Sequence, residues 1–151
     1  MRRTELQISL SALENNLKVI KSFTNASVQG VVKANFYGLF DDKMHEIIEQ
    51  NVESYAVITI DEAVSLRKLT SKPILLFQGV HEQNDYEMIE ENNLDFTIHS
   101  SWQLEGLSDF NLKNSRIWLK LNTGMNRLGF NDKDFLIALK EIEILNIKDI
   151  V

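Results

Sequence analysis

Apolar positions along the chain change period again and again, and each change marks an element. Leu13, Leu17 and Ile20 recur at i, i+4 and i+7, one face of a helix ending near Phe23. Ser11-Ala12-Leu13-Glu14 has the form of a capping box, with hydroxyl and carboxylate each serving the other residue's amide. Residues 28–34 are short and β-branched, a buried strand bounded by Asn35 and Gly38. A helix over about 42–50 carries Met44, Ile47 and Ile48, and residues 55–58 form the next strand. Thr59-Ile60-Asp61-Glu62 is a second capping box, opening a helix that turns Ala63, Leu66 and Leu69 inward. Residues 73–77 make a third strand, with the sole proline first, where a missing N–H is tolerated. Tyr86, Ile89 and Glu90 lie in a helix that gives way at Asn92-Asn93. Residues 94–98 are a fourth strand, and Ser101 is placed to cap a helix through Leu104 and Leu107. Residues 116–121 are a fifth strand, Asn131 caps a helix bearing Phe135, Leu139 and Ile142, and Ile147 to Val151 opens like a further strand.

Strand onsets near 28, 55, 73, 94 and 116 leave room between them for one helix and two short loops. That is a run of βα units, hence an α/β fold with a parallel sheet. The strands are apolar on both faces, as a sheet buried on both sides requires. Two closures remain open, a doubly wound sheet and a (β/α) barrel, and periodicity does not choose between them.

Composition narrows the function classes. The 151 residues carry 16 Lys+Arg and 22 Asp+Glu, a net charge of −6 with the basic residues scattered, which is no nucleic-acid footprint. The longest apolar run, Phe135 to Leu139, is far too short to cross a membrane as a helix. No apolar stretch follows Arg2 and Arg3, so the start is not a secretory signal. With no cysteine there is no disulfide, in keeping with a reducing, cytoplasmic location. The sequence has neither a Gly-x-Gly-x-x-Gly loop nor a P-loop.

Two clusters could carry chemistry. Lys33 is the one charge in the first strand, near its carboxyl end. A lysine there either snorkels to solvent or faces a site, where desolvation would free its amine as a nucleophile. Tyr37 falls four residues on, at the rim where barrel active sites collect, or is an ordinary loop aromatic. The second cluster is Lys120-Leu121-Asn122-Thr123-Gly124-Met125-Asn126-Arg127-Leu128-Gly129-Phe130. Its glycines could shape backbone around Arg127, whose guanidinium can hold an anionic oxygen bidentately; the plainer reading is a helix-entry loop with a surface arginine. His45 and His81 are expected to face solvent and His99 to end the fourth strand at the rim. No second ligand stands at metal spacing, so no metal site is expected. Asp61-Glu62 reads as a helix start.

Together the clusters resemble a known family. Val31-Val32-Lys33-Ala34-Asn35-Phe36-Tyr37-Gly38 resembles the cofactor-lysine motif of bacterial alanine racemases, VVKANAYGHG. Lys120 to Phe130, KLNTGMNRLGF, resembles their second signature, KVDTGMxRLGF. Glu5 to Leu13 with Asn16-Leu17, and Tyr55-Ala56-Val57 followed by Asp61-Glu62-Ala63, are similar to the family's first elements, and the similarity is collinear throughout. Two departures stand out. Phe36, Leu39 and Phe40 replace a small residue, a histidine and a glycine, and Asn122 replaces an aspartate.

The resemblance implies the N-terminal part of a (β/α)₈ barrel of the fold type III pyridoxal-phosphate enzymes, residues 1–151 being an incomplete barrel domain without the C-terminal β domain. It implies racemisation of L-alanine to D-alanine for peptidoglycan, in the cytoplasm, by a homodimer acting on a small molecule and on neither nucleic acid nor membrane. Lys33 matches the lysine that forms the internal aldimine with pyridoxal 5'-phosphate and then serves as one acid/base group. Tyr37 matches the tyrosine that binds the cofactor phosphate, and Arg127 the arginine near the cofactor's phenolic oxygen and the substrate carboxylate. Lys120 matches a lysine that is carbamylated in many members and steadies that arginine. The opposing base is, in the family, a tyrosine of the partner subunit's C-terminal domain, so these 151 residues alone are expected to be inactive. The alternative reading is a pyridoxal-phosphate-binding protein, degenerate paralogue or fragment without racemase activity. An unclosed barrel also implies exposed sheet edges, prone to swapping or dimerisation.

Overall fold

The computed structural model describes residues 4–110, 112, 114–145 and 150–151. Its elements alternate as expected: α1 (Leu10–Ser22), β1 (Gln29–Val31), a single helical turn α2 (Lys33–Gly38), α3 (Asp42–Asn51), β2 (Ser54–Val57), α4 (Ile60–Arg67), β3 (Ile74–Leu76), α5 (Asp85–Asn92), β4 (Asp95–Ile98), β5 (Ile117–Leu119) and α6 (Asp132–Ile144).

All strand pairs are parallel, and the spatial order is β1-β2-β3-β4-β5. Every new strand therefore joins the edge formed by the one before it. A doubly wound sheet would reverse direction at a switch point, and this one does not. Sequential addition is the order of a (β/α) barrel, which settles the closure that periodicity left open. The order continues at the far edge, where Ile150 bridges Ile117 in parallel and the Val151 amide donates to the Ile117 carbonyl at 2.8 Å. Residues 147–149 of the further strand lie outside the described residues.

The two faces of the sheet have different partners. Tyr55, Val57, Ile74, Leu76, Phe96, Ile98 and Ile117 pack with Ala63, Leu66, Tyr86, Ile89, Ala138 and Ile142 of the helices in one core. Each strand side chain so buried is worth about 1.5–3 kcal/mol. Alternation turns Leu75, Phe77, Thr97, Trp118 and Lys120 to the other face, where they line a hollow of about 280 Å³.

Several expectations change, among them that for Leu69, which lies beyond the end of α4 and is exposed rather than turned inward. The cap of α1 is Ser9, whose hydroxyl accepts from the Ala12 amide at 3.3 Å, so Ser11 lies inside the helix. Glu14 is then two residues too late to close a box and pairs with Lys18 instead, at 2.8 Å. The buried face becomes Leu10, Leu13 and Leu17, leaving Ile20 and Phe23 exposed. Residues 101–109 form two short 3-10 turns (Ser101–Gln103 and Leu107–Asp109) rather than a helix. The Tyr86 hydroxyl takes the Gln103 carbonyl that an α-helix would offer to residue 107, and the Leu107 amide bonds Leu104. The first strand ends at Val31, not Ala34, because a different backbone form begins at Lys33.

Candidate active site

At the carboxyl end of β1 the chain does something L-residues rarely do. Ala34, Asn35, Phe36 and Tyr37 all have φ between 51° and 59° with ψ between 33° and 54°, one turn of left-handed helix. Only Asn35 among them tolerates this region well, and the others cost roughly 1–2 kcal/mol each. Strain of this kind persists only where surrounding contacts over-determine it, and it collects at functional sites. The Phe36 amide donates to Val32 O at 3.1 Å, and the Phe36 ring is buried against Phe40 and His45, with centroids 5.2 and 6.0 Å apart. Glu62 adds a tie from α4, its Oε1 accepting from the Ala34 amide at 2.7 Å.

One turn of helix brings positions i and i+4 to the same side. Tyr37 comes back beside Lys33, whose Nζ lies 5.9 Å from the centre of its ring. Lys33 is half-buried and Tyr37 is 59% exposed. Val31, which pairs with Ala56, belongs to the face opposite the helices, and Lys33 follows it just past the end of the strand. Phe36 and Phe40 are two of the departures from the motif. With Val32, Val57, Leu66 and Leu69 they line a hollow of about 400 Å³ behind the turn, on the helix side of the sheet. Their bulk is spent away from Lys33.

His45, expected in solvent, is buried and stacked 6.1 Å from the Tyr55 ring, with Nε2 unpaired. It sits one residue past Met44 on the inward face of α3, which a three-residue apolar pattern did not reveal. His81 is exposed as expected.

Lys120 follows β5, held by its amide to Ile98 O at 2.9 Å, and shares the interior face with Trp118. Arg127 stands exposed in the loop beyond it. That loop is pinned at both ends: the Phe130 amide donates to Lys120 O at 2.9 Å and the Asn122 amide to Phe130 O at 2.8 Å. Asn122 also organises its inside. Its Oδ1 accepts from the Gly124 and Asn126 amides at 3.1 and 3.0 Å, and its Nδ2 donates to Asn126 Oδ1 at 3.0 Å. An aspartate would supply the acceptors but not that last bond. Gly129 has φ +114°, and a Cβ there would lie 2.8 Å from the Asn122 amide.

Lys33 with Tyr37, and Lys120 with Arg127, thus occupy opposite ends of the strand order and share the carboxyl end of the sheet. His99 ends β4 between them, its Nε2 facing Gln78 O at 3.1 Å. Burial lowers its pKa below the ordinary 6.5, with the Lys120 charge adding to the effect and the Gln78 carbonyl opposing it. Two residues here were not legible as site residues. Glu62 reads as a helix start alone, since nothing near it in sequence announces a bond to Ala34. Gln103, wholly buried, bonds the His99 amide and the Gln78 and Val80 carbonyls. Among the described residues there is no cluster of three or more metal-ligating side chains, and no helix long and apolar enough to cross a membrane.

A primary amine, a phenol and an arginine at the mouth of a parallel sheet fit a phosphorylated aldehyde: the amine for its carbonyl, the others for its anionic oxygens. Comparison with known proteins gives the family. The alanine racemase of Wigglesworthia glossinidia brevipalpis is 39% identical over 138 residues, 89% of this chain and 38% of that protein. The solved biosynthetic alanine racemase of Pseudomonas aeruginosa superposes with a TM-score of 0.84 at 28% identity, over 93% of this chain and 40% of that one. The alanine racemase of Acinetobacter baumannii gives 0.84 at 27%, over 94% and 44%. The chain therefore spans about two fifths of the relatives it matches. The family described as alanine racemase, N-terminal domain, matches residues 8–149, and this chain belongs to it.

Proposed function

We propose that the protein containing this chain is a pyridoxal-phosphate-dependent alanine racemase, interconverting L- and D-alanine for peptidoglycan. The observation that carries the reading is the left-handed turn, which brings the Tyr37 phenol beside the Lys33 amine at the carboxyl end of β1. Bound there, pyridoxal phosphate supplies the electron sink that makes an amino acid's α-proton removable. The protein's own work is geometry and proton movement. Lys33 Nζ anchors the cofactor and then holds or delivers a proton on one face of the substrate. The Tyr37 hydroxyl binds the cofactor phosphate. Arg127 holds an anionic oxygen, of cofactor or substrate carboxylate, and Lys120 steadies Arg127.

Residues 1–151 are then part of a barrel domain, and a C-terminal β domain of a second subunit contributes the base for the other face. The working protein is a cytoplasmic homodimer. Family membership supports this reading, since the relatives it rests on are named alanine racemases.

The test uses the full-length protein. Pyridoxal phosphate followed by borohydride is expected to add a phosphopyridoxyl group to the Lys33 peptide, and Lys33→Ala to abolish the addition. Alanine in D₂O is expected to lose its α-proton. No label at Lys33 overturns the reading; label without α-proton exchange reduces it to a cofactor-binding protein.

A further inference from the structure

Glu62 does more than its capping box requires. The box needs one oxygen: Glu62 Oε2 accepts from the Thr59 amide at 3.3 Å, while the Glu62 amide donates to the Thr59 hydroxyl at 3.4 Å. That same Oε2 also takes the Ile58 amide at 2.9 Å. Oε1 is thereby left free of the cap, and it accepts the Ala34 amide at 2.7 Å, from 28 residues away.

Ala34 needs that partner. Its amide has left the β1–β2 ladder, whose last bond runs from the Val32 amide to Ala56 O. It also lies too early in the turn to find an intrahelical acceptor, since the first such bond is made by Phe36. A carboxylate on such a donor makes a charge-assisted bond, stronger than a neutral one. One side chain thus joins the start of the left-handed turn to the start of α4. Ala34 directly follows Lys33 and precedes Tyr37 by three residues.

We infer that Glu62 is a positioning residue: its carboxylate, by holding the Ala34 amide, sets the turn that brings Lys33 and Tyr37 together. The inference rests on the function proposed above, and the experiment separates the two. Glu62→Gln keeps one carbonyl oxygen, so it can serve Ala34 or the cap but not both. Thr59→Ala is the control, weakening the cap of α4 while leaving Oε1 on Ala34. In the full-length protein, pyridoxal phosphate is titrated at a temperature where circular dichroism shows each variant folded, and borohydride labelling of the Lys33 peptide reads occupancy.

Glu62→Gln is expected to weaken cofactor binding about tenfold or more and Thr59→Ala by less than about twofold, the scale on which supporting contacts act. Binding by Glu62→Gln within twofold of wild type overturns the inference and leaves the proposed function standing. Equal losses in both variants also overturn it, since Glu62 would then act only through α4. No label in wild type removes the proposed function and this inference with it. Should Glu62→Gln not fold, hydrogen exchange of wild type decides. The Ala34 amide, on an exposed residue, is expected to exchange about tenfold or more slowly than in an unstructured chain, and exchange at the unstructured rate overturns the inference.

Discussion

His99 Nε2 lies 3.1 Å from the carbonyl oxygen of Gln78, so that nitrogen carries the ring's proton and Nδ1 is the one left to titrate. Burial depresses the pKa, and Lys120 adds to it. A ring whose folded pKa lies below its unfolded 6.5 contributes stability that is fully present above pH 6.5. That contribution is lost as pH falls through the folded value. Proton NMR titration is expected to give a His99 midpoint below 6.5; a midpoint at or above it refutes the assignment. His99→Gln, which keeps a donor for Gln78, should flatten stability against pH over the same range.

Gly79 has φ +66°, and a Cβ there would stand 1.9 Å from Thr97 O, in the loop that presents Gln78 to His99. Gly79→Ala is expected to cost about 3 kcal/mol or more, from strain and overpacking together. Urea unfolding checks this, and a loss under about 1 kcal/mol would mean the loop moves freely.

Arg67 donates to four carbonyls: Asn92 at 2.9 Å from Nε, Thr70 at 3.1 Å and Lys72 at 2.8 Å from Nη1, and Asn93 at 3.2 Å from Nη2. The fork ties the loops leading into β3 and β4. Lysine keeps the charge but not the fork, so Arg67→Lys should destabilise by about 2 kcal/mol. Unchanged urea midpoints in that variant would show the bonds to be incidental.

The unpaired His45 Nε2 predicts a gain. His45→Phe keeps the stack on Tyr55 and the edge contact with Phe36 while removing a buried polar atom. Stability is expected to rise by about 1 kcal/mol with the urea slope unchanged. A fall of that size would mean the nitrogen is satisfied in solution.

The loop carrying Arg127 gives a sharper contrast. Asn122→Asp retains both backbone bonds and should change stability by less than about 1 kcal/mol. Asn122→Ala removes all three side-chain bonds, and amide exchange at Gly124 and Asn126 should quicken markedly. Equal exchange in the two variants would show that the loop is shaped by its glycines instead.

The alternation of elements was legible because strands buried on both faces and helices buried on one leave distinct periods. Periodicity did not give barrel closure, since strand order is a property of pairing and β1 to β5 would read the same in either closure; the resemblance of the two motifs did. Ser9 and Ser11 show the limit of cap signals: both precede a helical face, and only geometry selects Ser9. Lys33, Tyr37, Lys120 and Arg127 were found as motifs. What relates them was hidden, because residues 33–37 read as strand and loop by composition. Four consecutive left-handed L-residues have no compositional signature. Glu62 was invisible in its second role for the same reason, its partner being 28 residues away.

The strand order has a consequence for how the chain is made. Each of β2 to β5 pairs with the strand synthesised just before it, so among the described strands no pairing waits for a distant segment. The sheet can extend edge by edge as the chain leaves the ribosome, amino end first. The lysine turn is the exception to that immediacy. It emerges with β1, yet the Ala34 amide gains its partner only after Glu62 has followed, so the turn after Lys33 is tied down by the second βα unit, not by its own.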